Sequence, residues 1–180
     1  LNACLICLAE VRMNPLFTDN MVLQQRTEVP VWGTASPGSV VSVVWNRHTY
    51  QTQADSDGKW MLKVRTPKAG GPYEMIVSDG EPVTISNILV GEVWLCSGQS
   101  NMQWYVMRDP EMKADLKNPA NSKIRLYDTG RIWATTPQNE VPAQKKHKTQ
   151  WSVCNPKALA KFTAVGYGFG KELQEALDVP

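Results

Sequence analysis

The chain has 180 residues, 42% of them hydrophobic, and a formal net charge of +2. That is enough chain for one medium domain or two small ones, with an ordinary globular composition. The near-neutral charge argues against nucleic acid or an anionic membrane surface as partner, and no apolar run approaches the roughly 20 residues that span a bilayer.

Residues 1–9 (LNACLICLA) are apolar, too short to span a bilayer, and lack a charged start. They read as the end of a signal-peptide core with cleavage after Ala9, which places the protein in a secreted, periplasmic or extracellular setting. A buried first strand is the alternative, and the Leu1-Asn2-Ala3-Cys4 stretch loosely matches a lipoprotein cleavage site.

Residues 10–88 read as an all-β domain, with short strand-like runs separated by turn signals every 8–12 residues or so. Residues 29–32 form one run, closed by Gly33. Residues 40–45 form a β-branched run that Asn46-Arg47 turns. Residues 50–54 alternate, and residues 55–58 (DSDG) are a hairpin signal, since Asp and Gly tolerate the positive φ of tight turns. Trp60, Leu62 and Val64 then make one apolar face, and residues 69–72 (AGGP) break the chain before a run at 73–77.

The pattern changes after Ile88. Residues 89–96 (LVGEVWLC) are nearly continuously apolar, as in a strand buried on both faces of a parallel sheet. Residues 124–127 (IRLY) give a second strand, and residues 128–150 a polar connection whose basic run at 145–148 reads as a solvated loop. Phe162, Val165, Phe169, Leu173 and Leu177 recur at helical spacing, with Gly166, Gly168 and Gly170 weakening the helix. Strand, connection, strand and helix open an α/β domain over residues 89–180, and the sequence stops at Pro180 where a helix would hand over to a strand.

Of the four cysteines, Cys4 and Cys7 fall in the leader-like segment, while Cys96 and Cys154 read as buried small hydrophobes. Their spacing, with only two histidines, suits no zinc site.

The candidate chemistry lies at residues 97–104 (SGQSNMQW), directly after the buried-strand run. In α/β sheets ligands bind beyond the carboxyl ends of strands, where a small polar turn holds a serine hydroxyl exposed and offers backbone N–H groups to an oxyanion. Gly98-Gln99-Ser100-Asn101 follows the Gly-x-Ser-x-Gly elbow until Met102. From the residues alone Ser100 is either a nucleophile or a helix N-cap. Trp104 either stacks on a sugar ring or packs in the core.

Residues 93–102 resemble the first block of the SGNH (GDSL-like) hydrolases, in the form found in sialate O-acetylesterases and related carbohydrate acetylesterases. Residues 16–25 (LFTDNMVLQQ), 29–33 (VPVWG), 70–73 (GGPY) and 162–167 (FTAVGY) resemble further segments of that family. The resemblance implies a β-sandwich followed by the beginning of an α/β/α SGNH-hydrolase domain. It implies an acetyl-serine mechanism on O-acetylated sialic acid or a related glycan, with no metal or organic cofactor. Ser100 aligns with the nucleophile, Gly98, Gln99, Asn101 and Trp104 become oxyanion or substrate-binding candidates, and Gln99 stands where GDSL enzymes carry Asp. The family's later blocks are a Gly-Gly turn, Gln-Gly-Glu and an Asp-x-x-His supplying the base. None of them follows Ser100, and His48 and His147 lack that context, so the chain alone is expected to be inactive. Two other readings remain open: a glycan-binding module presenting Trp32, Trp45 and Trp60, and an acetylxylan esterase.

Overall fold

A computed structural model of the chain describes residues 11–118, 121–130, 134–138 and 149–180. The leader-like segment 1–9 with Cys4 and Cys7, and the basic run 145–148 with His147, lie outside the described residues.

Eight strands come first: β1 (Arg12–Met13), β2 (Val22–Gln24), β3 (Glu28–Thr34), β4 (Val40–Trp45), β5 (His48–Gln53), β6 (Lys59–Arg65), β7 (Gly70–Ser78) and β8 (Pro82–Gly91). They form a three-stranded sheet in the order β1-β3-β6 and a five-stranded sheet in the order β2-β8-β7-β4-β5. Every ladder is antiparallel except β2 with β8, which makes the larger sheet mixed. Both sheets face one apolar core containing Val31 and Val64 from the first, and Val43, Trp45, Val77 and Val90 from the second, all fully buried.

The two-residue period of a strand sets these faces. In β4, Val41, Val43 and Trp45 are buried while Val40 and Val44 face out. Asn46 and Arg47 take φ of 46° and 67°, the double positive turn that matches the twist of a two-residue hairpin. At the next hairpin the Asp55 carboxylate accepts the N–H groups of Asp57 (2.9 Å) and Lys59 (2.8 Å), and Gly58 takes a φ of 75°. Trp45 and Trp60 are core residues, and Trp32 packs edge-on against Phe17 at 4.7 Å. These three indoles therefore do not form a glycan platform. The expected break at residues 69–72 is instead part of β7, where the register to β8 slips between Gly70 and Tyr73. A side chain at Gly71 would meet the Ile88 carbonyl at 2.8 Å, so only glycine fits this bulge.

The remaining residues carry three 3-10 turns (Ser100–Gln103, Val106–Arg108 and Met112–Lys117), β9 (Asn121–Leu126), β10 (Ser152–Cys154), α1 (Pro156–Leu159) and α2 (Ala164–Leu177). The helix read from the 3–4 spacing is α2, begun by the Thr163 hydroxyl, which accepts the Gly166 N–H at 3.3 Å. The second-strand run becomes β9, but its partner is β10 and the pair is antiparallel. A smaller core gathers Val106, Leu126, Cys154, Leu159, Ala164 and Tyr167. Cys154 is buried as expected; Cys96 is exposed, contrary to expectation.

The expected two-faced strand at 89–96 is corrected. Residues 89–91 are the last three residues of β8, pairing Leu89, Val90 and Gly91 with Val22, Leu23 and Gln24. Residues 93–96 form no strand, and Val93, Trp94 and Leu95 are 40%, 58% and 89% exposed. The two parts of the chain are also tied together. The Trp151 indole N–H donates to the Leu16 carbonyl (2.8 Å), the Tyr127 hydroxyl to the Pro15 carbonyl (3.2 Å), and Trp151 packs on the main core.

Candidate functional site

The segment that carries Ser100 is anchored at its root. The Glu92 N–H donates to the Pro180 carbonyl at 2.9 Å, and the Val93 N–H to Gln24 Oε1 at 2.9 Å. The Glu92 carboxylate accepts the side-chain amides of Gln25 (2.8 Å) and Gln24 (3.2 Å), which hold its pKa below the ordinary range. Beyond this knot residues 93–98 take no regular secondary structure, residues 93–99 are exposed, and Ser100 opens the first 3-10 turn.

The turn closes through Met102 N–H to the Gln99 carbonyl (3.0 Å) and Trp104 N–H to the Asn101 carbonyl (3.1 Å). A Cβ at Gly98 would lie 2.7 Å from Met102 Cγ, so glycine lets the turn fold back on itself. Ser100 is exposed and makes no hydrogen bond to a described residue. The N–H groups of Ser100 and Asn101 likewise have no partner among the described residues, as befits the first positions of a helical turn. Gln99, Asn101 and Gln103 are exposed and Trp104 is 47% exposed, so Trp104 is a surface indole.

Downstream, the chain is strapped to the approach of α2. Ala164 N–H donates to the Trp104 carbonyl (2.7 Å), Val106 N–H to Phe162 (3.1 Å) and Met107 N–H to Ala160 (3.1 Å). A groove of about 400 Å³ runs between residues 92–96, β9 and α2. Trp94 and Phe169, stacked edge to face at 5.2 Å, and Tyr105 line it. Met102 and Gln103 reach it from the turn, whereas Ser100 does not.

A second polar cluster sits behind the turn. Asp115 Oδ2 accepts the Tyr167 hydroxyl and Lys171 Nζ, both at 2.9 Å. The Lys171 ammonium lowers the Asp115 pKa; burial and the Asp115 carboxylate raise that of Tyr167, and burial first pushes the Cys154 thiol up to about 11. This cluster joins the third 3-10 turn to α2. The sequence reading missed it because nothing local marks a pair 52 residues apart in sequence. His48 is not brought to Ser100 as a base, since it opens the edge strand β5 and lies against Tyr50; His147 is outside the described residues. No described helix is long and apolar enough to cross a membrane.

A carbohydrate acetylesterase from Xanthomonas citri superposes with a TM-score of 0.87 and 31% identity, over 94% of this chain and 38% of its own. Among curated proteins, the sialate O-acetylesterases of Homo sapiens and Pongo abelii are each 28% identical over 190 residues, 94% of this chain and 35% of theirs. That of Mus musculus is 28% identical over 91% of this chain. No family model matches the chain. The chain is thus a distant homologue of carbohydrate acetylesterases, the sialate O-acetylesterases among them, and it spans about a third of the length of these relatives.

Proposed function

We propose that this chain is the nucleophile-bearing part of a serine esterase that removes O-acetyl groups from sialic acid or a related sugar. The observation that carries the reading is the exposed Ser97–Met102 turn within a similarity that runs over 94% of the chain. In this reading strands β1 to β8 form a β-sandwich and the chain beyond them begins an α/β/α domain.

Ser100 Oγ attacks the acetyl carbonyl while a base takes its proton. The sugar oxygen leaves with a proton, and water then hydrolyses the acetyl-serine to acetate and free serine. The N–H groups of Ser100 and Asn101 are the oxyanion donors that this turn offers. Gly98 permits the fold of the turn, Gln99 and Asn101 present polar side chains at its mouth, and Trp104 offers a face to the sugar. The base comes from outside the described residues, since His48 belongs to the far edge of the β half. Acetylxylan is the competing substrate; the similarity to sialate O-acetylesterases favours sialic acid.

The test is acetate release by the full-length protein from O-acetylated sialic acid and from acetylated xylan. Ser100→Ala is expected to lower kcat by about 10⁴-fold or more. Retention of most of the activity refutes the assignment of Ser100, and a preference for xylan refutes the substrate.

A further inference from the structure

One short stretch, residues 160–166, holds the Ser100 turn from both sides. Downstream it does so through the three backbone hydrogen bonds to residues 104–107 described above. Upstream it does so by contact: Gly166, in the first turn of α2, lies directly against Cys96, four residues before Ser100. A Cβ built on Gly166 would sit 3.4 Å from both Cβ and Sγ of Cys96 and 2.6 Å from Thr163 Cγ2. The last distance is shorter than any tolerated contact. Thr163 is not free to rotate away, because its hydroxyl caps the helix on the Gly166 N–H itself.

The other glycines of α2 are different. A Cβ at Gly170 meets nothing within 4 Å, and one at Gly168 meets only the flexible end of Met112. Gly166 is thus the glycine at which the helix backbone touches the segment that carries the nucleophile.

We propose that Gly166 is a positioning residue for Ser100: it leaves room for Thr163 at the start of α2, so that one element holds the turn at both ends. This rests on the reading of Ser100 as nucleophile. A side chain at Gly166 meets Cys96 at ordinary contact distance but must displace Thr163, which bridges to Tyr105 and whose neighbour Ala164 holds the Trp104 carbonyl. Displacing Thr163 moves the strap at Trp104 relative to the root of the turn at Cys96, and displacements near 1 Å are enough to cost about 10²-fold in rate. Alanine's better helix propensity offsets the contact penalty, so the defect appears in rate rather than in folding.

The test uses the full-length protein with Gly166→Ala, Thr163→Ser, the double variant and Gly170→Ala. Amide hydrogen exchange over residues 97–104 reads the turn without reference to any activity, and hydrolysis of O-acetylated sialic acid gives kcat and KM. Gly166→Ala is expected to speed exchange of the turn several-fold and lower kcat by roughly 10- to 100-fold, with KM within about twofold. Thr163→Ser keeps the capping oxygen and removes Cγ2, so it alone stays close to wild type, and the double variant recovers most of kcat. Gly170→Ala leaves exchange of the turn and kcat unchanged. Unchanged exchange and kcat in Gly166→Ala overturn the inference, as does a double variant no better than the single one. An exchange response of the expected kind in a protein without esterase activity leaves the positioning intact and overturns the functional reading instead.

Discussion

Removal of the Asp115 carboxylate tests how the second part of the chain is held together. Asp115 is 15% exposed and joins the third 3-10 turn to α2 through Tyr167 and Lys171, each at 2.9 Å. Tyr167 is 6% exposed, so in Asp115→Ala its hydroxyl loses a charged acceptor at a largely buried position. A hydrogen bond to a charged group contributes about 1.5–3 kcal/mol when buried. The Lys171 ammonium is 36% exposed, and solvent screening reduces its share to about 0.5 kcal/mol. The expected loss is therefore about 2–3 kcal/mol, or a fall in Tm of roughly 4–12 °C for a chain of this size. Tyr167→Phe removes the donor without leaving a buried orphan, so it costs about 1 kcal/mol, and the double variant costs less than the sum of the two. The pH dependence has a definite sign. The folded Asp115 pKa lies below its ordinary value of 3.8, so its contribution is present above that value and is lost as pH falls through the folded pKa. Wild type and Asp115→Asn should differ most near neutrality and converge as the pH falls through the folded pKa. Urea titrations at several pH values, followed by tryptophan fluorescence, measure this. Costs below about 0.5 kcal/mol for both single variants, or strict additivity, refute the argument.

Other consequences follow from the same geometry. A chain of residues 11–92 is expected to unfold cooperatively and to exceed one of residues 11–88 by about 3–5 kcal/mol, because buried Leu89 and Val90 complete β8 against β2; equal stabilities in urea contradict this. Leu95→Lys, at a position 89% exposed, should reduce self-association of the 180-residue chain in light scattering without lowering Tm; a fall in Tm means Leu95 is packed. Iodoacetamide at pH 8 should alkylate exposed Cys96 readily and Cys154 only on unfolding, since burial pushes that thiol up to about 11; peptide mass mapping distinguishes them.

Much of the β half was legible because its signals are local. The β-branched run at residues 40–45 marked a strand, alternation in residues 60–64 assigned the buried face of another, and Asn46-Arg47 and the Asp55 to Gly58 stretch marked two hairpins. The helix at 164–177 was legible from its apolar period, whereas its Thr163 cap was not read from the sequence. The run at 89–96 was misread for a physical reason: continuous apolarity reports burial, not the partner that buries. Here β2 claims the first three residues in parallel, and the rest stay open. The amide–carboxylate knot of Gln24, Gln25 and Glu92 and the Asp115 cluster were invisible because they join residues 52 to 68 positions apart. Within the candidate site, the exposure of Ser100 was legible from its small, polar turn. Gly166 was read only as a weak point of the helix, because its contact with Cys96 exists only in three dimensions.

The most direct measurement of the central claim is covalent trapping of the nucleophile. The full-length protein is treated with a fluorophosphonate, digested, and the labelled peptide located by mass spectrometry. The account predicts a single adduct on Ser100, blocked by prior incubation with O-acetylated sialic acid and absent in Ser100→Ala. An active protein that carries its adduct on another residue, or that is labelled equally in Ser100→Ala, contradicts it.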